Sequence, residues 1–496
     1  MWAAWTEILD PPSLSIVIAL MKTEPYSWTV AEAGRCLRKK DISPLELTTL
    51  YLERIDELNP TLHAYITIMH EHAVRAAENA TKELTRGKTR GPLHGIPVSV
   101  KDSIPVRDCP TTCGTQANIY RGNEEAAVVG RLREAGAVIL GKTSLPELGL
   151  GSFHAAFPPV RNPWALDHSG EGSSIGCAAA IAARLSMASV GADAGGSIRR
   201  PAAHCGITGF KPTYALVETE GVAAFNWSME HLGPLALSAE DTYLTMMSIL
   251  PPERTKRLRS WEHPRAAVHR WREHGTLPRL GVVRQSLADN TQVGWEKAFE
   301  EALNVLRGLG MQTREVSVPS FEHSAVALMT IILVEAASAA GSVLRDSAEG
   351  LGEEVRFSLE LGASIPGYAY VDAHRLRSKL MNELHAAFDE VDVLAGPVTC
   401  GAPPLLTEVA QPWTGDDATS LGRQTRPTAI YNMTGMPAIS LPCGFSPSLL
   451  PMGFQLAARR YDDGTLLAVS WLYEQETQWQ SRIPPMATMN AKIGAP

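Results

Sequence analysis

Between residues 169 and 201 the chain concentrates small and hydroxylic residues in two glycine-rich turns. They read Ser169-Gly-Glu-Gly-Ser-Ser-Ile-Gly176 and Gly191-Ala-Asp-Ala-Gly-Gly-Ser197, the second running on into Ile198-Arg-Arg-Pro201. Turns of this composition let the backbone approach a ligand and aim its N–H groups at negative charge. A phosphate is one candidate for that charge. Neither turn, however, ends in the Gly-Lys-Ser/Thr of a P-loop, and the glycine spacing is not that of a dinucleotide site. The other candidate is the oxyanion of acyl transfer. Ser197 follows Asp193, Ala194, Gly195 and Gly196, so a nucleophilic hydroxyl would stand beside backbone N–H groups able to hold a tetrahedral intermediate. Two common serine-hydrolase plans do not fit. Arg199 stands where a Gly-x-Ser-x-Gly elbow around Ser197 needs its last glycine, and the formal elbow Gly172-Ser-Ser-Ile-Gly176 follows a polar segment rather than a buried strand. No Ser-x-x-Lys occurs in the chain.

The elements that must position these turns alternate along the chain. Residues 96–100 and 137–140 read as strands around a helix at 124–135; a helix at 177–184 and a strand at 187–190 separate the two turns. Strands at 280–283 and 391–394 and an amphipathic helix at 295–309 continue the pattern, which argues for an α/β sheet covered by helices. Two helices are predicted from Thr29 onward. The second opens on Ser43-Pro-Leu-Glu46, a capping box with proline at the first helical position, and Asn59-Pro60 is expected to stop it. Its apolar stripe is Leu47, Leu50, Tyr51, Ile55 and Leu58. Residues 251–278, rich in Arg, His, Trp and Pro, read as a surface excursion. No flexible linker flanks them, so one composite domain is expected.

At 496 residues, 45% hydrophobic and 20% charged, the composition is that of a globular chain. A net charge of −8 repels phosphate backbones, so no nucleic acid is expected as a partner. The cysteines, Cys36, Cys109, Cys113, Cys177, Cys205, Cys400 and Cys443, show no framework spacing and suit a reducing cytoplasm. Cys109 and Cys113 have no second pair to complete a zinc site, so no metal is expected. The run Leu14-Ser-Ile-Val-Ile-Ala-Leu20 is too short to cross a bilayer, and its flank carries Glu7 and Asp10 but no Lys or Arg, unlike a secretory signal. Residues 1–21 are read as an extension whose order the sequence leaves open, with Met21 an alternative start. No membrane span is expected.

Ordered motifs along the chain resemble those of the amidase signature family. They are Gly95-Ile-Pro-Val-Ser-Val-Lys-Asp102, Asn162-Pro-Trp164, Gly172-Ser-Ser174, Gly191-Ala-Asp-Ala-Gly-Gly-Ser-Ile-Arg-Arg-Pro-Ala202, Gly209-Phe-Lys-Pro-Thr213 and Asn432-Met-Thr-Gly-Met-Pro-Ala438. The resemblance runs from about Thr29 to near Glu474. It implies a single compact α/β domain over residues 22–490, with a mixed central sheet surrounded by helices and a variable pocket-forming region at 285–390. It also implies a Ser–cisSer–Lys triad, with Ser197 the nucleophile, Ser173 the bridging serine after a cis Gly172–Ser173 peptide, and Lys101 the base. The backbone N–H groups of Ala194, Gly195, Gly196 and Ser197 would form the oxyanion hole. Ser173 lies twenty-four positions before Ser197, the family's separation, which selects it over Ser174. Asp193 and Arg199 are expected to pair and hold the nucleophile's loop. A lysine accepts a proton only when neutral, so Lys101 must be buried and unpaired by any carboxylate. No metal or organic cofactor is implied.

The match departs from the family at Glu171 and Ile175, which replace glycines of the usual Gly-Gly-Ser-Ser-Gly-Gly-Ser, and at Cys177, which replaces its closing serine. Ala194 replaces a frequent threonine. His94, His204 and His231 are expected to be packed or hydrogen-bonded rather than catalytic. The function implied is a stand-alone serine hydrolase cleaving amide, anilide, carbamate (as a urethanase) or ester bonds of a small molecule through an acyl-enzyme. The alternative is the glutaminase subunit of a tRNA-dependent amidotransferase complex. Family members of that kind usually carry an Arg-Arg-Ile-Met-Leu-Gly-Thr-like segment, where this chain has Arg356-Phe-Ser-Leu-Glu-Leu-Gly362. Phe153, Phe157 and Trp227 are expected to line a pocket for a bulky or aromatic group, and a homodimer stays open.

Overall fold

Two capped helices lead into the sheet. Val30–Lys39 and Pro44–Leu62 each begin with a capping box, Thr29 with Glu32 and Ser43 with Glu46. The second helix runs past Pro60, which the sequence pattern had marked as its stop. Pro60 falls in the last turn, where the buried Leu58 and Leu62 hold the chain down and the His63 N–H still reaches the Asn59 carbonyl at 2.8 Å. The missing proline donor therefore costs one bond rather than the helix. The computed structural model describes residues 24–120, 122, 124–223, 225–285, 293–399, 401–409 and 418–488. The expected N-terminal extension lies outside them.

Among the described residues, eleven strands join in one sheet. In chain order they are β1 (Tyr65–Ile68), β2 (Pro97–Lys101), β3 (Val138–Thr143), β4 (Ala188–Asp193), β5 (Thr208–Lys211) and β6 (His231–Ala236). Then come β7 (Leu280–Val282), β8 (Thr313–Glu315), β9 (Val393–Pro397), β10 (Ala438–Phe445) and β11 (Pro451–Ala458). Their spatial order is β1-β3-β2-β4-β6-β5-β10-β11-β9-β7-β8. The sheet is mixed, as expected: β2 runs parallel to β3 and β4, and β7 to β8 and β9, while β4/β6, β5/β6, β10/β5, β10/β11 and β11/β9 are antiparallel. β2, β3, β4 and β6 are buried along their whole length, which is why they read as near-continuous apolar runs.

This pairing sets the position of the chemistry. Val98 faces Ala188 and Val100 faces Val190, so the carboxyl ends of β2 and β4, at Lys101 and Asp193, emerge side by side. Ligands of open α/β sheets bind beyond such strand ends. β6 runs the other way, with His231 opposite Asp193, so the residues just before it meet the same edge. Between the two glycine turns, the helix Ile175–Ala182 is buried at every position, which its glycine, alanines and cysteine make sterically feasible.

The helix Ser324–Ala339 packs against Glu353–Ser364, Gly367–Glu390 and Ala418–Thr434. Over Phe321–Ala339 it is long and apolar enough to cross a membrane, yet half of that stretch is buried inside the protein. Its fully buried Glu335 accepts from the Ser228 N–H and the Tyr370 hydroxyl, both at 3.1 Å. The segment read as a surface excursion is more integrated than expected. Its helix Pro264–His274 buries Ala267, Val268 and Trp271 and packs against the helix Asp463–Thr477. The join is tight enough that a Cβ on Gly464 would run into the Ser260 carbonyl oxygen. Gly464→Ala is expected to destabilise the protein by about 1–3 kcal/mol in urea unfolding. Gly308→Ala, at the end of an outer helix with open space around it, is expected to leave stability unchanged or slightly raised.

Candidate active site

Lys101 ends β2 with its side chain 3% exposed. Its Nζ donates to Ser173 Oγ at 2.7 Å and reaches the Ala192 carbonyl at 3.5 Å. Ser173 follows a cis Gly172–Ser173 peptide, the bond that the resemblance implied. The neighbouring Ser174 is used differently: its N–H donates to the Ser197 carbonyl at 2.9 Å and its hydroxyl to the Ala192 carbonyl at 3.1 Å. Ser174 thereby ties the two glycine turns together and leaves Ser173 to meet the lysine. Lys101, Ser173 and Ser197 all line one cavity, partly open to solvent.

The loop carrying Ser197 is held from beneath. Asp193, fully buried, accepts from the Gly196 N–H at 2.7 Å, the Ile198 N–H at 3.1 Å, Arg199 Nε at 3.1 Å and Asn432 Nδ2 at 2.8 Å. Burial by itself would raise the Asp193 carboxyl. The charge and hydrogen bonds of Arg199, with Lys211 and Asn432, outweigh it and hold the group well below the usual carboxylate range. Arg199 spends its other donors on Asn432 Oδ1 at 2.6 Å and Gln455 Oε1 at 2.9 Å. Asn432 lies in an expected motif, whereas nothing in its local sequence marks Gln455, in the middle of β11, as part of this network. The Gly196 N–H, expected in the oxyanion hole, is instead turned down to Asp193. The peptide groups of Ala194, Gly195 and Ser197 remain as the expected donors.

Burial pushes the Lys101 amine below its ordinary value, while Glu230 is the largest influence in the opposite direction, followed by Cys177 and Asp193. Glu230 was not singled out by the sequence pattern. It lines the same cavity just ahead of β6, and burial raises its carboxyl to about 7 despite the Lys101 charge. His94, His204 and His231 are buried away from the cavity lining. His94 pairs with Glu83 at 3.1 Å, His204 accepts the Glu171 N–H at 3.0 Å, and His231 bonds the Met229 carbonyl at 2.6 Å.

The expected pocket residues fall elsewhere. Trp227 is 50% exposed, Phe153 packs on the main core, and Phe157 stands against the His154 ring; none of the three lines the cavity. Its apolar wall comes from Leu145, Leu148, Leu150, Phe225, Met329 and Ile332. Met329 and Ile332, one turn apart on the helix Ser324–Ala339, come from the region 285–390 expected to shape the pocket. The leucines follow β3 directly, and that position was the available signal. Two of the departures near Ser173, Glu171 and Cys177, are also accounted for. Glu171 meets Arg200 at 3.2 Å, and Arg200 donates to the Gly172 carbonyl at 3.3 Å, so the pair backs the peptide that carries Ser173. Cys177 lies 3.0 Å from the Thr143 hydroxyl, within hydrogen-bond reach as the missing serine would be.

A family model described as Amidase matches residues 46–467. The chain belongs to this family, the amidase signature proteins, and is by class an amidase acting on C–N bonds. A glutamyl-tRNA(Gln) amidotransferase subunit of Gloeobacter violaceus is 36% identical over 481 residues, covering 90% of this chain and 96% of the relative. A crystal structure described as an amidase is 32% identical with a TM-score of 0.79, covering 90% of this chain and 100% of the other. The peptide amidase PAM, solved with the competitive inhibitor chymostatin, is 28% identical with a TM-score of 0.80, covering 93% and 100%.

Removing the Arg199 charge would leave Asp193 buried and unpaired. Arg199→Met is expected to cost roughly 3–5 kcal/mol in denaturant unfolding. An effect below about 1 kcal/mol would show that the remaining N–H donors hold the loop unaided.

Proposed function

We propose that the protein hydrolyses amide bonds on its own, through an acyl-enzyme on Ser197. The observation that supports this reading most is the 2.7 Å contact between Lys101 and Ser173, on a cavity that Ser197 also lines. Neutral Lys101 takes the Ser173 proton as Ser173 takes the Ser197 proton, and the Ser197 oxygen bonds to the substrate carbonyl carbon. The N–H groups of Ala194, Gly195 and Ser197 receive the oxyanion. When the C–N bond breaks, the proton returns from Lys101 through Ser173 to the leaving nitrogen. Water then attacks the acyl ester, losing its proton along the same relay, and the acid departs with Ser197 restored. Carbamates, anilides and esters offer the same carbonyl and fall within this chemistry.

A second reading, the glutaminase subunit of a tRNA-dependent amidotransferase, is favoured by the names of curated relatives such as the Gloeobacter protein. Against it stands the segment Arg356-Phe-Ser-Leu-Glu-Leu-Gly362, on the helix Glu353–Ser364, which lacks the sequence usual in such subunits. Hydrolysis of p-nitroacetanilide, a phenyl carbamate, p-nitrophenyl butyrate, a primary amide and glutamine separates the two. Turnover of any member except glutamine by the purified chain, abolished in Ser197→Ala, is expected. Glutamine turnover alone would favour the second reading, and equal rates in both proteins would remove Ser197 as nucleophile.

The pH profile tests the base. A lysine lowered by burial gains its neutral, proton-accepting form as pH rises through the lowered value, so kcat/KM should climb toward alkaline pH with a midpoint below the ordinary ~10.4. The Glu230 charge raises the Lys101 value, so Glu230→Gln should move the climb to lower pH. A flat profile from mildly acidic to basic conditions would exclude a titrating lysine.

A further inference from the structure

The cavity holds polar groups that the hydrolytic steps leave unused. Ser103, Asn226 and Glu230 all line it, at 7%, 8% and 8% exposure. Among the described residues, Ser103 Oγ and Asn226 Oδ1 have no hydrogen-bond partner. The Glu230 carboxylate is met by the charges of Lys101 and Asp193 at a distance, with no hydrogen bond from the described residues to stabilise it. Such groups are costly to bury, and native structures satisfy the great majority of them. These three come from adjoining segments. Ser103 lies two residues past the end of β2, and its carbonyl accepts the Ala223 N–H at 3.1 Å. The Asn226 carbonyl accepts the N–H groups of Met229 and Glu230 at 3.0 and 2.9 Å, closing the turn that leads into β6.

The open oxygens can all accept, although the Ser103 hydroxyl and the Asn226 amide can donate as well. Arg200, which also lines the cavity, directs its Nη groups to Glu171 and the Gly172 carbonyl and keeps an unpartnered Nε among the described residues; neither it nor Lys101 forms an ion pair with Glu230. A group with several N–H donors and a positive charge satisfies all three. Next to them Phe225, Met329 and Ile332 offer an apolar surface to the rest of such a molecule.

We propose that Ser103, Asn226 and Glu230 form an ammonium-binding subsite, and that the substrates are amides carrying a primary amino group near the scissile carbonyl, as α-amino acid amides do. The second half rests on the hydrolase reading; the subsite itself does not. Glu230 touches the substrate's amino group and not the reacting atoms, so its removal changes the choice between amino and deamino substrates. An effect through Lys101 would change both alike.

The test compares leucinamide with 4-methylpentanamide, which lacks only the amino group, and phenylalaninamide with 3-phenylpropanamide. Binding is measured by calorimetry on Ser197→Ala, where no turnover intervenes, and on Ser197→Ala combined with Glu230→Gln. The amino ligands should bind at least about tenfold more tightly than their counterparts, a preference that Glu230→Gln brings to near unity. Asn226→Ala, checked for folding by its thermal melt, should reduce the preference in part and covers the case in which the glutamine variant does not fold. Equal binding of each pair, absence of amino-ligand binding, or a preference that survives Glu230→Gln would overturn the subsite. With wild type, the same preference should appear in kcat/KM. A binding preference without any turnover would uphold the subsite and count against the hydrolase reading alone.

Discussion

The buried pair of Asp193 and Arg199 is the interaction on which the site's geometry depends. A glycine-rich loop has few side chains with which to hold itself, and Ala194, Gly195 and Ser197 of this one line a cavity. Asp193 anchors that loop by accepting two of its N–H groups, at Gly196 and Ile198. Arg199 then carries the anchoring outward to Asn432, Gln455 and the Thr428 carbonyl. Residues more than two hundred positions downstream thus hold the turn that carries Ser197. The pair lies with no solvent exposure, where removing one charge costs far more than the pair itself contributes. Its value here is a fixed backbone rather than added stability.

The second constraint is electrostatic. Burial drives Lys101 toward its neutral form. Three carboxylates nevertheless lie close to this site, and the fold treats each differently. Asp193 is saturated by Arg199, Asn432 and backbone donors, and Glu171 is paired with Arg200. Glu230 alone of the three is left unbonded among the described residues, facing the cavity, with its carboxyl raised to about 7. Neutralising two of them limits the negative charge felt by the lysine. The third is left without a hydrogen bond on the cavity lining.

The strand and helix alternation was legible because β2, β3 and β4 are buried along their length and read as mostly small and apolar runs. Helix starts were legible from Thr29 and Ser43 because a cap is a local bond between residues three apart. The stop at Pro60 was misjudged, since burial of Leu58 and Leu62 decided whether the last turn persisted. The helix Pro264–His274 was hidden by its charged neighbours, although Val268 and Trp271 on one face pack into the core. Phe153, Phe157 and Trp227 were expected in the pocket for their type and proximity to motifs, but none of the three lines the cavity.

What the sequence determined by itself was the identity of the groups around the glycine turns: a hydroxyl at Ser197, its spacing from Ser173, a lysine closing a buried strand, and the Asp193 and Arg199 that flank Ser197. Those features are local and follow from residue type and order. Only the tertiary structure decided that the Gly196 N–H is turned toward Asp193, and that Glu230, Asn226 and Ser103 line the same cavity as Lys101. Hydrogen-bond competition and desolvation depend on what surrounds a group in space. The antiparallel return of β6 beside β4 brings those surroundings from distant parts of the chain.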